Sequence, residues 1–134
     1  MKPFALLLPA LLAASSAFAQ APIHVDITGG IAQPMPIAIP PMPTPSPAAT
    51  AAGNTAALGQ QVADVVTNDL KNSGLFQPLP AGMLGTVAFA QVTQPDYPKW
   101  TAAGAQALVQ GFVQANGDGT LTVGCYLYDV YASQ

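Results

Sequence analysis

The side chains able to carry chemistry are few and scattered along this chain. His24 is the single imidazole among 134 residues, and Asp26 shares its strand face through i+2 spacing. A histidine and a carboxylate can begin a metal site, but no second histidine, no glutamate and no cysteine cluster exists to complete it. The pair therefore reads as a solvated strand face. Ser-His-Asp catalysis needs a serine that the imidazole can reach, yet Ser46, Ser73 and Ser133 fall in a linker, a helix end and a terminus. The strained G-x-S-x-G turn that presents such a serine is missing as well. Cys125 alternates with the apolar Leu121, Val123 and Leu127, which predicts a buried small hydrophobe rather than a nucleophile. Asp64 and Asp69 stand five apart on a helix and point in different directions, so they form no acid/base pair. Asn116-Gly117-Asp118-Gly119-Thr120 resembles the opening of a calcium loop but lacks its later glycine and terminal glutamate, and a turn is the better reading. The pattern argues against an enzyme and implies no cofactor.

These residues must be placed by a small set of elements. Ile23 to Thr28 alternates apolar and polar residues and ends at Gly29-Gly30, the signature of a strand with one buried face. Ile37 to Ile39 is a short apolar run fenced by Pro36 and Pro40, a second strand whose ends lack backbone donors. Residues 40–53 hold five prolines among small residues and should form an extended surface loop rather than packed structure. Thr55 to Asn72 is the strongest helix, with Thr55 as its cap, Leu58, Val62, Val66 and Leu70 recurring at i+4, and Val65 widening the stripe. Gly74 should end it in the left-handed conformation, with Leu75 folding back onto the last turn.

Phe76 to Leu79 fits a third strand, while Val87 to Val92 suits helix or strand equally. Tyr97 to Gly104 reads as a short helix closed by glycine, Ala105 to Gln114 as a strand, and Asn116 to Gly119 as a hairpin turn. In the return strand, Leu121, Val123, Cys125 and Leu127 alternate with Thr120, Thr122, Gly124 and Tyr126. This order predicts an α/β (α+β) domain, a mixed sheet with two helices packed on it and one face covered.

Met1-Lys2, the apolar run Phe4 to Ala14 and the Ala17-Phe18-Ala19 cleavage signal make residues 1–19 a secretory signal peptide. Cleavage before Gln20 leaves 115 residues, enough for one domain without metals or disulfides. That mature chain carries two lysines against six aspartates, a net charge of −4. Charged residues form 7% of the chain, against roughly 25% in ordinary domains. Phosphate neutralisation needs a basic stripe and two lysines are all there is to build it, which argues against nucleic-acid binding. A single cysteine excludes an intramolecular disulfide framework.

Two segments carry a family resemblance. Asp69-Leu70-Lys71-Asn72-Ser73-Gly74-Leu75-Phe76-Gln77-Pro78-Leu79 is the first, and Trp100-Thr101-Ala102-Ala103-Gly104-Ala105-Gln106-Ala107-Leu108-Val109 with Leu127-Tyr128-Asp129-Val130-Tyr131 is the second. Both resemble, in the right order, the N-terminal domain of the TolB family, the periplasmic component of the Tol-Pal envelope system. The resemblance spans residues 20–134 and implies a mixed sheet with helices, followed in full-length members by a β-propeller. It implies a non-enzymatic periplasmic role in outer-membrane integrity and constriction at cell division, and in import of macromolecules such as colicins. In the family the propeller binds Pal and the colicins, so neither can be assigned to residues here. The mature N-terminal segment reaches TolA, which carries over to Ile23, His24, Val25, Asp26 and Ile27. The family domain also continues past this hairpin with a further strand and helix, so the domain should be incomplete at its C-terminus, with one apolar sheet face partly bare.

From these residues the first expectation is an interaction module whose leading strand adds to a partner by backbone pairing. The same strand would equally pair inside its own sheet. A different class, an exported binding module for a neutral or apolar ligand, would use Trp100, Tyr97 and Phe112 to line a pocket.

Overall fold

The computed structural model describes residues 33–134. The expected signal peptide and the expected Ile23–Thr28 strand lie outside these residues. Four strands form the main sheet in the order β4-β1-β5-β6. They are β1 (Met35–Ala38), β4 (Phe76–Pro78), β5 (Ala107–Ala115) and β6 (Leu121–Asp129). β1 runs parallel to both neighbours, with Met35 opposite Phe76 and Ile37 opposite Ala107. A strand flanked on both sides and covered on both faces must be apolar throughout, and Ile37 and Ala38 are fully buried. β5 and β6 form the expected antiparallel hairpin, in unbroken register from Ala107 opposite Asp129 to Ala115 opposite Leu121.

Each sheet face has its own cover, where the element order suggested one. Helix α1 (Thr55–Asn72) packs over β4 and β5, closing a core of Ile37, Ile39, Met42, Ala63, Ala107 and Val109. The opposite face is covered by α2 (Ala81–Leu84), a 3-10 turn at Phe89–Val92 and α3 (Tyr97–Ala102). Its core gathers Ala38, Leu84, Val87, Trp100, Ala105, Leu108 and Val130. The ambiguous Val87–Val92 segment is thus a short 3-10 helix rather than a strand; Val87 ahead of it packs into this core, and Val92, its last residue, is buried as well.

Helix α1 has the expected bounds and presents the expected face to the core, with a different cap and with small residues innermost on that face. Asn54 is the cap, its Oδ1 accepting from the Ala56 amide at 2.9 Å. Thr55 is fully buried, and its Oγ1 accepts from the Ala48 amide at 3.0 Å. This ties the helix start to the small hairpin of β2 (Ala49–Thr50) and β3 (Gly53–Asn54). The buried stripe is Thr55, Gly59 and Ala63, while Val62, Val66 and Leu70 straddle it partly buried and Val65 is exposed. Small residues sit innermost because the chain at Met42 presses against them: a Cβ on Gly59 would collide with the Met42 carbonyl.

The proline-rich segment explains that pressure and corrects the expectation of a surface loop. Pro40 and Met42 are buried, and the Pro43 carbonyl accepts from the Val113 amide at 3.1 Å. Proline brings no N–H that burial would leave unpaired, so this stretch continues β1 between α1 and β5. The rest of the expected loop does lie largely at the surface, with Pro45 to Pro47, Ala49 and Ala51 to Gly53 exposed. At the far end of α1, Gly74 adopts a positive φ of 73° as expected. Leu75, however, is exposed. Its carbonyl accepts from the Met35 amide at 2.9 Å, and strand alternation turns Phe76 rather than Leu75 toward the α1 core.

Candidate functional site

β6 supplies the surface feature that sets this domain apart. Alternation puts Leu121, Val123, Cys125 and Leu127 on the α1 side of the sheet, opposite Ala115, Val113, Gly111 and Val109 of β5. Helix α1 covers β5 but leaves the row on β6 in solvent. Val123 is 51% exposed, Leu127 is 69% exposed and Cys125 is exposed. The expected buried cysteine is thus a surface thiol, because its neighbours on the same face have no helix above them. Partial desolvation pushes its pKa up, which favours the thiol over the nucleophilic thiolate.

The same face continues into a groove of about 570 Å³. Met35 comes from the start of β1, Phe76 from the start of β4, Ala107 from the start of β5, and Leu127 from the end of β6, with Tyr131 beyond it. Tyr131 is 71% exposed. Tyr128 and the polar residues Gln106, Asp129 and Gln134 also line the groove. Backbone bonds between Asp129 and Gln134, of 2.7 and 3.2 Å, close the turn that carries Tyr131. In open α/β sheets small-molecule sites gather at the carboxyl ends of the strands. This groove sits at the amino ends of the three parallel strands and brings one charged side chain, Asp129. It offers apolar area rather than acid, base or nucleophile. Its lining residues are spread from Met35 to Gln134, so no local motif signals them; only Tyr131, an aromatic just past a strand end, hints at it.

The two edges of the sheet differ in the same sense. β4 is three residues long and ends in Pro78, which cannot donate to a further ladder. β6 is nine residues long, regular, free of proline, and charged only at Asp129. Short strands, proline, charge and bulges are the usual protections of an edge; β4 has two of them and β6 has little.

The other face carries an aromatic cluster of a different kind. Tyr128 donates its hydroxyl to the Val92 carbonyl at 2.7 Å and meets Tyr97 edge-on and Tyr126 stacked, both at 6.3 Å. Partial burial, followed by the neighbouring Tyr97 and Tyr126, pushes its phenol above the usual range. Phe112 lies against Gly124 on β6, where a Cβ would strike the ring, and packs edge-on to Phe89 at 5.5 Å. Trp100 is 1% exposed, with Lys99 Nζ 4.4 Å from its ring centroid. The three aromatics expected to line a ligand pocket are therefore a core tryptophan and two members of this packed cluster.

The remaining candidates are accounted for locally. Asp118 accepts from the Thr120 hydroxyl at 2.7 Å and the Thr120 amide at 2.9 Å, which lowers its pKa and fixes the hairpin turn. Asp64 accepts from Gln60 Nε2 at 2.8 Å. Among the described residues no group of three or more His, Cys, Asp or Glu is placed to hold a metal ion, and no helix is long and apolar enough to cross a membrane. Ile23, His24, Val25, Asp26 and Ile27 lie outside the described residues.

A family model described as the TolB amino-terminal domain matches residues 23–134. The chain belongs to this family. It is 74% identical over 121 residues to a Tol-Pal system protein TolB of Rhizorhabdus wittichii, covering 90% of this chain and 28% of that protein. A second TolB, of Zymomonas mobilis, is 69% identical over 112 residues, with 84% and 24% covered. Tol-Pal system protein TolB 1 of Novosphingobium aromaticivorans is 51% identical over 104 residues, with 76% and 23% covered. The chain thus spans about a quarter of the length of these curated relatives. Both resembling segments lie inside the matched range, so the TolB amino-terminal domain accounts for the sheet, for α1 and α3, and for the hairpin.

Proposed function

We propose that this domain is a periplasmic protein-interaction module of the Tol-Pal system, acting without catalysis in outer-membrane integrity and constriction at division. The carrying observation is membership of the TolB amino-terminal family over residues 23–134. It is joined by an apolar groove, poor in reactive groups, at the amino ends of the parallel strands. In this reading residues 1–19 direct export and are removed, and residues 20–134 form the working domain. Ile23, His24, Val25, Asp26 and Ile27 then add as a strand to a TolA-like inner-membrane partner, with main-chain bonds giving affinity and alternate side chains giving specificity. In this reading Pal binding and colicin import are assigned to no residue of this domain.

The test is direct. The exported chain, with its leader replaced by a cleavable one, is titrated with the periplasmic domain of TolA, alongside a variant lacking residues 20–28. Loss of at least tenfold in affinity on deletion is expected, since removing a paired strand removes several main-chain bonds at once. Equal affinity of the two chains would refute the assignment.

A further inference from the structure

We draw no further inference here: the strongest candidate, the exposed apolar row Val123, Cys125 and Leu127 on β6 with the groove that continues from it to Tyr131, carries nothing because no feature of the structure shows what covers it.

Discussion

Gly59→Ala separates helix propensity from packing more sharply than any other change in this domain. Gly59 lies inside α1, where alanine is favoured over glycine by about 0.8–1 kcal/mol. Judged as an isolated helix, the substitution stabilises. In the fold the new methyl would overlap the Met42 carbonyl oxygen, and would stand 3.1 Å from the carbonyl carbon and 3.6 Å from Cα. These are backbone atoms, so no rotamer change relieves the clash. The Met42 segment is held on one side by its amide donating to the Gly59 carbonyl at 3.3 Å, and on the other by the Val113 amide donating to the Pro43 carbonyl at 3.1 Å.

Overpacking of a tight core costs about 1–3 kcal/mol, and displacing the segment costs a further ~1 kcal/mol for the strained hydrogen bond. Against the propensity gain, the net is a loss of about 1–3 kcal/mol. For a domain of this size each kcal/mol lowers Tm by roughly 4–8 °C. Thermal unfolding of residues 20–134 followed by far-UV circular dichroism reads the shift, with Gly82→Ala as control because a Cβ there meets nothing within 4 Å. The expected outcome is a Tm lowered by roughly 5–20 °C for Gly59→Ala, and little change or a small gain for the control. A Gly59→Ala protein as stable as the parent would refute the packing of α1 against the Met42 segment.

Three further outcomes follow from single contacts. Tyr128→Phe leaves the Val92 carbonyl without its 2.7 Å hydrogen bond and should cost about 1 kcal/mol in urea unfolding at neutral pH. Because the folded pKa of Tyr128 is raised above the unfolded value of 10.0, its contribution is present below that pH. It is lost as pH rises through the folded value, so the variant should also show a shallower alkaline loss of stability; an unchanged alkaline limb would count against the cluster. Asp118 behaves oppositely: its folded pKa lies below 3.8, so its contribution is present above that value and is lost as pH falls through the folded one. Asp118→Ala should flatten stability across that acid window, and a parental acid profile would contradict the turn geometry. Leu127→Thr, on a residue 69% exposed, should change stability by no more than about 0.5 kcal/mol while reducing binding of the apolar dye ANS. A loss several times larger would show that the β6 face is covered in solution.

What could be read from the sequence was what local patterns encode. The bounds of α1, the positive-φ glycines at 74 and 104, the short helix before Gly104 and the Asn116–Gly119 hairpin follow from glycine, cap and period signals within a few residues. The mixed sheet follows from element order. The two segments resembling TolB lie in these same elements and led to the family that the comparison then established.

Contacts between distant residues could not be read this way. Small residues stand innermost on α1 where Met42, more than a dozen residues earlier, packs against Gly59 and Ala63. Pro40 and Met42 left the surface because β1 continues between α1 and β5. The identical alternation that makes Val109 a core residue leaves Leu127, directly opposite it in the ladder, in water. Strand periodicity fixes which side of the sheet a residue faces. Whether that side is buried depends on how far a separate helix reaches across it, a matter of tertiary placement that no run of residues in β6 encodes.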